Sequence, residues 1–182
     1  MFKTNNLGGW IIPAEAEIPA KTKIPSYSEI GDRCTIGNDC TIGYGYTIGD
    51  RCTIGNDCTI GDGCKIGDGC EIGNRCTIGN RCTIGHNCTI GHNCTIGDGC
   101  TIGYGCTIRN GCTWLGVKVK SWLTLANVDG SNRQIKIVRS DEGEIKIEAG
   151  CFIGTLDEFI AKAKSEGKLR YVAVISAIAE HV

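Results

Sequence analysis

An excess of positive charge is missing from this chain: 19 lysines and arginines against 20 aspartates and glutamates leave a net charge of −1 over 182 residues. Without a basic footprint, nucleic acid and anionic membrane surfaces are not expected partners. Long apolar runs are missing too, and no stretch approaches the roughly 18 residues that a spanning helix requires. Residues 1–11, MFKTNNLGGWI, lack the apolar centre of a secretory signal. These absences give the expectation of a soluble, cytoplasmic chain with no membrane partner. Histidine is scarce (His86, His92 and His181), and the cysteines do not fall in Cys-x-x-Cys pairs. Neither zinc pattern is therefore expected, and no metal or cofactor is implied.

What the chain has instead is a beat. Isoleucine recurs at every sixth position from Ile12 to Ile108, and Trp114 takes the next place. From Cys34 the unit is close to Cys-Thr-Ile-Gly followed by two turn formers, as in CTIGND, CTIGDG and CTIGHN. A period of six suits neither an amphipathic helix nor a half-buried strand, so the hexad itself is the structural unit. In an extended segment Ile and the Cys two residues before it point the same way, and the intervening Thr points opposite. Gly followed by Asn, Asp or Gly accepts a tight corner. Each hexad is thus a short strand plus a corner, and three hexads close one triangular coil. Ile and Cys fill the inside; Thr faces out. A one-residue slip would turn every later Ile outward, so the register is strongly specified. About six coils at ~4.8 Å each give a prism roughly 30 Å long.

Thirteen of the 14 cysteines occupy one slot of the hexad. The coil sorts them into three internal columns: Cys34 to Cys106, Cys40 to Cys112, and Cys64 to Cys100 above Tyr46, Ser28 and Trp10. They are expected to be small buried hydrophobes. Stacked in-register side chains do not present the dihedral of a disulfide, so reduced thiols in a reducing compartment are expected. The first coil keeps the Ile beat but changes the rest, with Pro13 and Pro25 where Gly would stand. A solenoid end needs a cap, and Trp10 with the preceding segment is the expected plug.

Beyond Trp114 the period stops. Residues 115–125, LGVKVKSWLTL, alternate as a strand, NVDGSN (127–132) signals a turn, and residues 134–138 and 144–148 read as a hairpin joined by RSDEG. Thr155 and Glu158 form a capping box for a helix ending near Gly167, and residues 168–180 give a second helix. Residues 1–115 are therefore expected to be the solenoid with its N-terminal cap. Residues 116–182 are expected to be an α+β module of three strands and two helices, placed to close the open end.

The outward threonines raise an ice-binding reading. Such surfaces present two ranks of Thr per strand, whereas each strand here exposes one, so an exposed β-branched face is the simpler account. His86 and His92 fall in equivalent slots of consecutive hexads and so on neighbouring corners of one coil. With Arg75 and Arg81 they are the candidate residues for a small anionic ligand between subunits. Tyr44 and Tyr104, each before a Gly, interrupt the polar corners and, with Tyr46 and Arg109, are the candidate aromatic patch. Cys151, the one cysteine outside the ladder, is expected to be a packed thiol rather than a nucleophile.

The hexads resemble the bacterial hexapeptide-repeat family over residues 10–115. The resemblance implies a left-handed parallel β-helix and a homotrimer. Relatives of that kind include acyltransferases with a histidine base and γ-class carbonic anhydrases with three histidine ligands to zinc. Two corner histidines do not complete such a zinc site, and the acyltransferases generally interrupt the hexads with a loop, whereas no residue is inserted between Ile12 and Trp114. The run GCFIGTLDEF (Gly150–Phe159), with SNRQIKIVRSDEGEIKIEA before it, resembles the C-terminal module of phage and prophage proteins over residues 124–182. Together these resemblances imply a non-catalytic, phage-encoded scaffold or binding protein in the host cytoplasm, with itself, a host protein or a small anionic ligand as partner and an anti-defence role among its forms. The alternative is an acyltransferase-like enzyme.

Overall fold

Two residues of extended chain and one tight corner, repeated, build the N-terminal part of the molecule. The computed structural model describes residues 2–103, 105–126, 128, 134–179 and 181–182. Two compact units divide it, residues 1–113 and residues 114–182. The first is a parallel β-solenoid of six coils with three faces. The first face stacks strands from Trp10–Ile12 through Glu29–Ile30 and Lys65–Ile66 to Thr101–Ile102. The second runs from Glu17–Ile18 to Thr107–Ile108, and the third upward from Lys23–Ile24. Every strand meets its equivalent three hexads away, as Thr59 meets Thr77 and Ile60 meets Ile78.

The isoleucines from Ile12 to Ile102 are buried, and Ile108 is half-buried. Twelve of the ladder cysteines are buried and Cys106 is nearly so; all are free thiols. Each thiol has a directed partner. Cys34 Sγ donates to the Pro13 carbonyl at 3.2 Å, Cys76 Sγ to Gly55 at 3.2 Å and Cys112 Sγ to Gly91 at 3.0 Å, and the other ladder thiols repeat the same offset. Cysteine is therefore more than a small apolar filler. Its S–H satisfies the corner carbonyl of the coil beneath, which alanine or valine in that slot would leave without this donor.

Glycine follows the strands from Glu29–Ile30 to Thr101–Ile102 for lack of space. A Cβ at Gly61 would fall on the carbonyl of Gly43, deep inside van der Waals contact. The same slot donates its N–H downward: Gly31 to Ile12 O at 2.9 Å, Gly37 to Ile18 O at 2.8 Å, Gly43 to Ile24 O at 3.2 Å. The first coil has no coil beneath it, so its N–H groups in that slot would be orphans. Proline, which has none, stands there on all three edges, Pro19 joining Pro13 and Pro25. On the first face the bottom edge is also covered. Lys3–Thr4 pairs antiparallel with Trp10–Ile12, and the Phe2 ring lies 5.7 Å from that of Trp10.

The second unit is an antiparallel meander with two helices. Its strands are Val117–Ala126, Gln134–Ser140, Ile145–Ala149 and Phe152–Thr155. The fourth adds to the three expected from alternation, because Gly150 and Cys151 make a two-residue turn that sets Phe152 against Ala149. The turn expected at NVDGSN lies, apart from Val128, outside the described residues. Helix α1 (Leu156–Ser165) starts at the expected capping box: Glu158 N–H donates to Thr155 Oγ1, and Thr155 N–H to Glu158 Oε2. That reciprocal bond holds the Glu158 carboxyl below its ordinary range. Helix α2 (Leu169–Ala179) ends on Arg139, whose guanidinium donates to the Ala179 and Val182 carbonyls at 2.5 Å each. Ile135, Ile137 and Ile147 from the sheet pack against Phe159, Ala163, Tyr171 and Ile175 from the helices. Lys136 and Glu148, at cross-strand positions, form a buried ion pair of 2.6 Å.

Candidate binding edge of the solenoid

On each edge, Asp or Asn corner residues accept a hydrogen bond from the coil above. On the edge after the first face, Asp32 Oδ1 accepts from Asp50 N–H at 2.9 Å, Asp50 Oδ1 from Asp68 at 2.8 Å and Asp68 Oδ1 from His86 at 2.6 Å. On the second edge Asn38, Asn56 and Asn74 do the same for Asn56, Asn74 and His92, at 2.7–2.8 Å. The third edge carries Asp62 and Asn80 in this role, with Ser26 and Tyr44 below them. One architecture thus presents three chemically different edges: carboxylates, carboxamides and a mixture.

The second edge has the chemistry of a binding surface. Each Oδ1 is committed to a backbone N–H, so the Nδ2 group is the part of each stacked asparagine that has hydrogens to donate to a ligand. A recess of about 380 Å³ runs beside them, floored by Gly55, Gly73 and Gly91 and walled on the other side by Thr53, Glu71 and Thr89. Arg109 lines its upper end, in a slot that is otherwise Gly or Pro through the ladder. Asparagine donors, a guanidinium and the corner histidine His92 therefore share one edge.

The residues singled out from the sequence do not all converge within one chain. Arg75 and His92 do meet: Arg75 N–H donates to the His92 carbonyl at 2.8 Å. The Arg75 guanidinium is itself held by Asp57, at 2.8 and 2.6 Å, which keeps the Asp57 carboxyl below its ordinary range. His86 stands on the acidic first edge, where Gly69 N–H donates to its carbonyl, and Arg81 stands on the third, its N–H on Asp98 O at 2.8 Å. His86 and His92 do occupy neighbouring corners of one coil. Among the described residues no group of three or more His, Cys, Asp and Glu side chains is placed to hold a metal ion.

Of the residues expected in an aromatic patch, the structure describes Tyr44, Tyr46 and Arg109. Tyr104 lies outside the described residues. Tyr46 is 1 % exposed, because it fills the inward cysteine slot, so it forms no surface with Tyr44. Arg109 is on another edge. The partner of Tyr44 is Tyr27, one coil below, with ring centroids 5.1 Å apart and edge to face. Sequence could have found it, since the last corner residue of one coil bonds to the middle corner residue of the next, here Tyr27 N–H to Tyr44 O at 3.0 Å. Tyr27 holds a positive φ of 61°, unusual for a bulky side chain. Cys151 is exposed rather than packed, because it sits in the turn before the fourth strand of the module. No helix of the described residues is long and apolar enough to cross a membrane.

Comparison with known families agrees with the coil geometry. Residues 45–80 and 75–110 match the bacterial transferase hexapeptide family (six repeats), and residues 29–56 match the hexapeptide repeat of succinyl-transferase. No curated protein and no solved structure matches the chain.

Proposed function

We propose, from the premise that the solenoid is a hexapeptide-repeat β-helix, that this chain is a non-catalytic trimeric scaffold or binding protein that holds a small anionic ligand along its second edge. The observation that carries this reading is the edge itself: Asn38, Asn56, Asn74 and Arg109 line one continuous recess, and His92 stands next above Asn74 on the same edge. Hexapeptide-repeat proteins commonly form trimers. In a trimer, edges of neighbouring subunits approach one another, which would bring His92 and Arg75 of one subunit toward the edge of the next that carries either His86 or Arg81. A phage-encoded origin, suggested by the likeness of Gly150–Phe159 to prophage proteins, belongs to this proposal, as do cytoplasmic location and a host protein as the other class of partner.

Native mass spectrometry after mild purification tests it. The expected result is a trimer carrying a small extra mass. That mass should disappear in the double variant His92→Asn/Arg109→Gly, which restores regular hexads and leaves the coils intact. A bare trimer whose melting temperature ignores inorganic phosphate would leave the scaffold role without the ligand. A monomer would remove the subunit interface from the reading.

The match to a transferase repeat family favours a second reading, an acyltransferase-like enzyme with a corner histidine as base. Acyl transfer by the wild-type chain that is lost in His86→Ala/His92→Ala would establish that reading in place of the first.

A further inference from the structure

The C-terminal module holds a cavity that the binding edge of the solenoid does not use. About 60 Å³ of space lies between α1, the start of α2 and the sheet. Its interior is apolar, formed by Ile135, Ala149, Ala163 and three aromatic side chains. Phe152 and Phe159 stand edge to face with centroids 5.5 Å apart, and Phe159 and Tyr171 likewise at 6.2 Å. At roughly 10–15 Å³ for each water-sized centre, the space takes on the order of four to six heavy atoms. An apolar cavity of this kind stays dry and accepts an apolar group.

The mouth differs in kind from the interior. Glu166 Oε1 lies 3.4 Å from Lys162 Nζ, and Glu166 Oε2 lies 2.6 Å from Lys168 Nζ. Two ammonium groups thus flank one carboxylate directly beside an apolar opening. An occupant that fits both parts has a compact alkyl end and a single negative charge a few bonds away.

We propose that this cavity binds a short branched aliphatic carboxylate, with its alkyl end among Phe152, Phe159 and Tyr171 and its carboxylate on Lys162 and Lys168. A free branched-chain acid and the carboxyl terminus of a peptide ending in leucine both carry this chemistry. The site is independent of the second edge of the solenoid, so either can fail without the other.

Titration of the full chain, followed by amide NMR, tests the assignment with 4-methylpentanoate, the neutral 4-methylpentan-1-ol and a short peptide ending in leucine. Saturable millimolar binding of the acid is expected, with shifts confined to residues 134–171. The alcohol should bind about two- to fivefold more weakly, the range expected for an exposed charge contact. Tighter binding of the peptide than of the acid assigns the site to a chain terminus, and the reverse assigns it to the free acid. Ala163→Leu fills the cavity and should abolish binding of all three. Lys162→Gln/Lys168→Gln, changes at exposed positions that spare the core, should invert the preference in favour of the alcohol, because Glu166 then faces the acid with neither ammonium beside it. The proposal is overturned if the acid gives no saturable shift, if acid and alcohol already bind the unaltered chain equally, or if filling the cavity leaves binding unchanged. Should Ala163→Leu not fold, the lysine variant and the alcohol comparison still decide.

Discussion

In the solenoid, Ile60 packs among isoleucines of neighbouring coils, and every hydrogen bond it sees recurs one coil up and one coil down; in the module, Ile137 packs against helices that follow it, beside a lysine–glutamate pair that occurs once. The difference is one of redundancy. A repeat stack is stabilised by nearly equal nearest-neighbour terms, so loss at one coil is shared by its neighbours. The module is a single small core in which individual contacts are unique. Even glycine is used differently in the two, for want of space in one and for backbone conformation in the other.

The largest effect should come from the unique contact. Lys136→Met alone leaves Glu148 as a buried uncompensated charge and is expected to destabilise the module by about 3–5 kcal/mol, whereas Lys136→Met/Glu148→Leu recovers most of that loss. Urea unfolding of the three proteins measures it, and additive losses would contradict the account. Next come the glycines. Gly61→Ala meets backbone that cannot rotate away and is expected to cost about 1–3 kcal/mol in the solenoid transition. Gly143→Ala has nothing within 4 Å of the new Cβ, but a φ of 87°; about 1–2 kcal/mol is expected in the module transition. Thr155→Ala removes the cap of α1 and should cost about 1 kcal/mol, again only in the module.

The smallest effect at neutral pH, and the most selective, concerns the thiols. Native protein should offer one thiol, Cys151, to a charged disulfide reagent, and all 14 cysteines after denaturation. Burial pushes the Cys34 and Cys40 thiols above their ordinary value. A raised folded value means that their contribution is complete below the unfolded thiol pKa of roughly 8.5 and is lost as pH rises beyond it. Melting of the solenoid should therefore fall above about pH 9. If the module falls equally, the effect does not come from the ladder.

Much of this fold is legible because parity and period are local. The Ile beat places every interior residue, the Thr between Cys and Ile faces out, and the cysteine columns follow from closure of the coil at three hexads. The capping box of α1 is equally local, and it appears where Thr155 and Glu158 imply it. Harder to read was anything decided by the neighbour in the next coil. The S–H bonds run to corner carbonyls of the coil beneath, and the proline at each bottom corner makes sense only once the absent coil below it is considered. Tyr27 and Tyr44 meet at an offset one position short of a full coil, so a search for stacked tyrosines at equal slots misses them. In the module, the fourth strand is not apparent from alternation in GCFIGT. Only the turn at Gly150–Cys151 brings Phe152 to Ala149, and the same turn puts the Cys151 thiol in solvent.

By itself the sequence determined the repeating unit: which side chains enter the prism, where corners fall, where the repeat ends and where helices begin. These depend on side-chain parity, on turn formers and on capping residues a few positions apart. Tertiary structure alone decided what those corner residues meet: the coil-to-coil bonds that commit each Asn and Asp oxygen, and the recess that opens beside the second edge. Arg75, Arg81, His86 and His92 lie within a single coil's length of one another in the chain, yet they stand on three different edges. Arg109, almost a full coil beyond His92, joins it on one of them. The recess, and the charged mouth over the aromatic cavity of the module, arise from coil closure and helix packing, which bring together residues that no local pattern connects.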